Sequence, residues 1–221
     1  MKSFYTRLVV TSFSIVTALA LASGCASTAP ERAAKATESI DALIAEMGKV
    51  KGGVDQSLNA LDALVSKPSD NLKGQFDAYA QSVAALDQHA KAVADRAEAM
   101  KARGQEYFKG WEESTATLSS EEMRAYSEQR RAKLSAAYTD IQEKTGKAKE
   151  EFGPFITSLK DIQSYLSLDL TANGLQSVGN LATKGRASGA KVKENIDAVV
   201  KDCETVRNVL SQKVGTAPAA K

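Results

Sequence analysis

Between Leu72 and Trp111 an uncharged residue recurs at alternating steps of four and three: Leu72, Phe76, Tyr79, Val83, Leu86, Ala90, Val93, Ala97, Met100, Gly104, Tyr107 and Trp111. This is a heptad seam, the pattern of a helix that lays one stripe along partner helices. At 1.5 Å per residue such a helix is about 60 Å long. Three further stripes surround it. The first runs Ile40, Leu43, Met47, Val50, Val54, Leu58, Leu61 and Val65, and predicts a helix from about Glu31 to Ser66. Gly52-Gly53 weakens that helix by roughly 1 kcal/mol per glycine relative to alanine and predicts a bend. Pro68 ends it, because the residue before a proline avoids helical geometry. Ser69 or Asp70 is the expected cap of the next helix.

The third stripe is Leu134, Ala137, Ile141, Ala148, Phe152, Phe155, Leu159, Ile162 and Leu166. Ser119 with Glu122 matches a capping box at its start. Pro154 lies inside it and predicts a kink, since proline removes a helix hydrogen bond and crowds the preceding turn. The fourth stripe is Val178, Leu181, Gly185, Gly189, Val192, Ile196, Val199, Cys203, Val206 and Leu210, capped by Thr171 or Asn173. Folding the last two helices about a turn near Leu170 sets Phe152 opposite Gly189, and Phe155 opposite Gly185 or Arg186. Long helices joined by short turns become antiparallel neighbours. The expected fold class is all-α: an elongated antiparallel bundle or coiled coil of about four long helices over residues 31–213. Residues 214–221, small and polar around Pro218, read as a disordered tail.

Residues 1–25 follow a different pattern. Lys2 and Arg7 precede an apolar run from Leu8 to Leu21, a length typical of an export signal and short for a membrane span. The segment Leu21-Ala22-Ser23-Gly24-Cys25 then resembles a bacterial lipobox. That resemblance implies cleavage before Cys25, lipidation of its sulfur and acylation of its new amine. Three acyl chains anchor firmly where one is marginal. An ordinary signal peptide cut near Ala22 or Ala26 is the alternative. Ala26, rather than an aspartate, follows the cysteine, which implies the periplasmic face of the outer membrane. Residues 26–30 read as a short tether of at most ~17 Å.

Composition narrows the class of function. Of 221 residues, 29 are Lys or Arg and 27 are Asp or Glu; once Lys2 and Arg7 are set aside, acids and bases balance. A balanced surface argues against nucleic acid, which wants a basic stripe. One histidine, His89, and one thiol besides Cys25, Cys203, cannot build a zinc-type site. Cys203 sits among Val199, Val206 and Leu210 and reads as a buried inert thiol. Gly185 to Lys191 has the wrong spacing for a phosphate loop. Glu112-Glu113 and Glu121-Glu122 read as solvated acids at helix ends rather than a general acid and base. Arg124, Arg130 and Arg131 read as a solvated basic group. No catalytic residue, metal ligand or cofactor site emerges.

Three stretches carry a family resemblance. They are Phe108-Lys109-Gly110-Trp111-Glu112-Glu113; Arg130-Arg131-Ala132-Lys133-Leu134 with Tyr138; and Pro154-Phe155 through Asp161, Tyr165 and Leu166, followed by Leu175 to Leu181. From about Met47 to Val200 the chain resembles a family of Gram-negative lipoproteins known as domain of unknown function 2959. Its basic, Asn-rich turn stands here as Ser167-Leu168-Asp169-Leu170-Thr171. The resemblance implies a coiled-coil lipoprotein and no catalytic residue. The expected function is a non-enzymatic, lipid-anchored periplasmic scaffold or interaction module with an envelope protein partner. The alternative is a bundle that holds a lipid or other small apolar ligand between its helices.

Overall fold

The structure is a computed structural model that describes residues 28–211. The export segment, Cys25 and the tail from 214 onward lie outside the described residues. Four helices account for nearly all of the rest: α1 (Ala29–Ser66), α2 (Leu72–Ala116), α3 (Glu121–Leu168) and α4 (Ala172–Ser211). No strand occurs among the described residues. Each helix packs against its chain neighbours, and α4 returns to α1, so the four form a closed ring with an up-down-up-down path. The all-α antiparallel bundle is therefore the fold. With 48 residues, α3 is about 72 Å long.

Each helix end has a chemical reason. Thr28 caps α1 through a capping box: its hydroxyl accepts from the Glu31 amide at 3.4 Å, and its own amide donates to Glu31 Oε2 at 2.7 Å. Helix α1 thus begins at Ala29, two residues inside the expected tether, with Pro30 in the first turn, where a missing amide proton costs nothing. Asn71 caps α2, not Ser69 or Asp70; its side chain accepts from the Gly74 amide at 3.0 Å. Gln75 ties off the preceding turn by donating to the carbonyls of Ala63 and Lys67 at 3.2 and 3.0 Å. Ser120, one residue beyond the predicted Ser119, caps α3 by accepting from the Met123 amide. Thr171 accepts from the Gly174 amide at 3.2 Å, as one of the two expected caps of α4.

The seams keep strict heptad spacing. In α1 the buried seam runs Ala36, Ile40, Leu43, Met47, Val50, Val54, Ser57, Leu61 and Leu64, with Glu46 and Gly53 buried beside it. The predicted Leu58 and Val65 are only half-buried, because the alternating step falls on Ser57 and Leu64 instead. In α4 the same rule buries Ala182 and leaves Leu181 42% exposed, against expectation. In α3 it buries Tyr138, which the apolar pattern passed over, although Phe152, which also falls on the seam, is only half-buried. A larger apolar residue one position off the seam loses to a smaller one on it, since a 3.5-residue repeat fixes which side chains face the bundle axis.

Helix α3 is helical through Pro154. Helix α1 likewise runs unbroken through Gly52-Gly53; a Cβ on Gly52 would meet nothing, whereas Gly53 sits at a close approach. A Cβ on Gly53 would lie 3.1 Å from Leu86 Cδ1 and 3.5 Å from Leu86 Cα on α2. The α3–α4 register differs from the expected one by about a turn. Gly189 faces Phe155, not Phe152, and Gly185 faces Leu159; Leu58 of α1 also reaches toward both glycines. Four charge pairs then fix α1 against α4: Asp41–Arg207, Lys51–Asp197, Asp55–Lys193 and Asp62–Arg186. They form an antiparallel ladder in constant register. Each exposed pair is worth little by itself, at most about 1 kcal/mol, but a misaligned register would oppose like charges.

Candidate functional site

Two places on the bundle depart from a closed seam. The first is at the end where α1 starts and α2 turns into α3. There the two aromatic and basic stretches of sequence meet each other. Trp111 Nε1 donates to Ser127 Oγ at 2.8 Å, and Arg130 lies 5.9 Å from the centre of the Trp111 ring, within cation–π range. Arg131 pairs with Glu112 at 3.7 Å, and Phe108 meets Tyr138 edge to face at 5.2 Å between centroids. From α1, Arg32 donates to the Gly110 carbonyl at 3.3 Å. A dent of about 330 Å³ between Arg32, Trp111, Leu118 and Arg130 marks the end of the bundle. These contacts clasp three helices together, and give Arg130, Arg131 and Glu112 structural partners.

The second place is the middle of the α2–α3 seam, the least closely joined of the four neighbouring pairs. An apolar cavity of about 370 Å³ opens there. Its walls come from all four helices, with Met47 and Val50 on α1, Val93 on α2, Phe152 and Ile156 on α3, and Val192 and Ile196 on α4. The physical origin is volume. Ala90 and Ala94 on α2 and Ala148 and Gly153 on α3 line the opening, and three methyl side chains and a glycine leave the gap that larger side chains close elsewhere. Its size falls within the range of small-molecule pockets.

A second, polar recess of about 430 Å³ continues along the same seam, between Val83 and Ala84 on one side and Gln163 and Ser164 on the other. Asp87 and Lys91 line both spaces. Asp87 Oδ2 accepts from Lys91 and Oδ1 from Lys160, each at 2.9 Å. Hydrogen bonds from Lys91 and then Lys160 hold the Asp87 carboxyl below the usual range, so it is ionised near neutrality. Lys149 also lines the apolar part, but stands eleven residues, about 17 Å along α3, from Lys160.

The residues singled out in the sequence are scattered. His89 bridges α2 to α1, with Nδ1 2.9 Å from Glu46 Oε1, and so holds a buried carboxylate rather than facing only solvent. Cys203 is fully buried, and burial pushes its thiol up to about 12. Glu113, Glu121 and Glu122 are exposed and not gathered into one site, and Gly185 to Lys191 is a stretch of α4. Arg124 donates to the Leu118 carbonyl at 3.1 Å. Among the described residues no group of three or more His, Cys, Asp or Glu is placed to hold a metal ion, and no helix is long and apolar enough to cross a membrane. The lysines of the α2–α3 seam were not legible as a site. Nor were the small residues: Ala90 and Ala148 stood in the predicted stripes as seam positions, and Ala94 and Gly153 stood outside them.

No curated protein matches the chain. Residues 47–210, which span α2, α3 and nearly all of α4 as well as the second half of α1, match the model of a family described as Protein of unknown function (DUF2959), and the chain belongs to that family.

Proposed function

We propose that this is a Gram-negative lipoprotein without enzymatic activity, anchored through acylated Cys25 at the periplasmic face of the outer membrane. Its bundle serves there as a scaffold or interaction module for an envelope protein partner. The observation that carries the reading is the register of Lys2, Arg7, the apolar Leu8 to Leu21 and Cys25. Geometry at the start of α1 supports it. Cys25 precedes the Thr28 cap by three residues, a reach of about 10 Å. An anchored bundle would therefore stand with the α2–α3 turn against the lipid. That turn presents Leu118, Met123 and Tyr126, the last two more than half exposed. Apolar and amphipathic side chains at such an end suit a lipid interface.

Cys25→Ser tests the anchor. The variant should leave the membrane fraction or accumulate as an unprocessed precursor. A variant that fractionates and migrates as the wild type does would refute the anchoring. A second reading is that the bundle holds a small apolar ligand. The cavity in the α2–α3 seam favours it, because a bundle that served only as a spacer would gain stability by filling that gap.

A further inference from the structure

We infer that the α2–α3 seam binds a single-chain amphiphile with an anionic head. Its acyl chain would lie in the apolar cavity, and its carboxylate or phosphate against Lys91 and Lys160. The inference rests on the ligand-holding reading and names the ligand's chemistry.

Three observations carry it. First, the two recesses are continuous but unlike. One is walled by Val, Ile, Met, Phe and Ala, and the other by Gln88, Gln163, Ser164 and charged groups. Together they run from Val83 to Ala94 on α2, a path of about 17 Å at 1.5 Å per residue. A long, narrow slot with one apolar and one polar end suits a chain with a head, not a compact apolar molecule. Second, the charge at the junction is positive: two lysines, Lys91 and Lys160, stand against the one carboxylate of Asp87. Lys91 and Lys160 each spend one bond on Asp87. An ammonium has three donors, so both keep capacity for an incoming anion. Third, Asp87 fixes both ammonium groups at the edge of the apolar part, so the anion's partners are pre-positioned before the ligand arrives.

The test uses the full chain in lipid nanodiscs and a diazirine-bearing palmitic acid as probe. Photolysis followed by peptide mass spectrometry should place the label on segments containing Ala90–Ala94 and Ala148–Ile156. Ala94→Phe fills the cavity and should reduce labelling there severalfold. Lys160→Gln with Lys91→Gln changes two solvent-accessible side chains, and should weaken labelling by roughly tenfold through loss of charge-assisted hydrogen bonds. A diazirine-bearing fatty alcohol of the same length should label poorly. If the alcohol labels as strongly as the acid, or the lysine variants label as the wild type does, the anionic head is refuted while the apolar-ligand reading stands. If neither probe labels the seam, both fail. Unlabelled palmitic acid and unlabelled lysophosphatidic acid should compete, and the stronger competitor names the head as carboxylate or phosphate. Competition by neither would overturn the proposal.

Discussion

Two buried tyrosines on facing helices should respond oppositely to the same one-atom deletion. The Tyr79 hydroxyl, fully buried on α2, donates to the Leu159 carbonyl of α3 at 2.7 Å. It is a direct bond across the loosest helix pair. Leu159 sits in mid-helix, so its carbonyl also serves the α3 ladder and is not orphaned when the hydroxyl goes. Tyr79→Phe should therefore cost about 1 kcal/mol, the net value of an ordinary internal hydrogen bond, without the larger penalty of an unsatisfied group. The Tyr138 hydroxyl is equally buried but has no hydrogen-bond partner. Tyr138→Phe removes a desolvated polar atom and keeps the ring against Phe108 and Gly104. It should be neutral or stabilising by up to about 1 kcal/mol. Urea melts of both variants read the difference directly. In thermal melts each kcal/mol is worth about 2–4 °C for a chain of this size. If Tyr138→Phe destabilises as much as Tyr79→Phe, the hydroxyl has a partner and the packing described around it is wrong. If Tyr79→Phe is neutral, the α2–α3 bond does not form.

Gly189→Leu should destabilise the bundle by about 1–3 kcal/mol through overpacking, because even a Cβ there would lie 2.7 Å from Leu58 Cδ1 and 3.3 Å from Phe155 Cε2. In double-mutant cycles Leu58→Ala should recover part of that loss and Phe152→Ala none; recovery by Phe152→Ala would restore the register expected from sequence. Glu46→Gln reports on pH. A hydrogen bond from Lys49, assisted by His89 and opposed by burial, holds the Glu46 carboxyl below its ordinary 4.5. A depressed carboxylate stabilises the fold above the unfolded pKa, and that stabilisation is lost as pH falls through the folded value. The gap in stability between wild type and Glu46→Gln should thus be full above about pH 5 and close below 4.5; a gap that persists unchanged at lower pH contradicts the pairing. Cys203 should resist alkylation in the folded chain and react at once in denaturant, since its thiol is buried and pushed up to about 12. Rapid alkylation under native conditions would mean that α4 does not close the core.

The heptad pattern made most of the fold legible. Every predicted seam residue of α2 is buried or half-buried, and four helices fall close to their predicted limits. Two misses share one cause. Leu181 and Leu58 were preferred to Ala182 and Ser57 because they are more apolar, whereas burial in a coiled bundle follows spacing first. Strict alternation of four and three would have found both. Thr28-Ala29-Pro30-Glu31 carried a readable capping box that marks the start of α1. The α3–α4 register was less accessible, because a turn of uncertain length shifts every pairing, and the glycines of α4 answer to Leu58 on α1 as well as to α3. The α2–α3 cavity was not legible. Ala90 and Ala148 stood in the predicted stripes, but only the fold sets them on either side of one opening and brings Lys91 and Lys160 together at Asp87.

The central claim is that the bundle hangs from a lipid at Cys25, and the mass of the mature protein tests it most directly. Intact mass spectrometry on protein extracted from its native membranes should give a chain that begins at Cys25 and carries acyl chains at its N-terminus. A chain that begins at Ala26 or later without lipid, or one that retains Met1 to Gly24, would contradict the account.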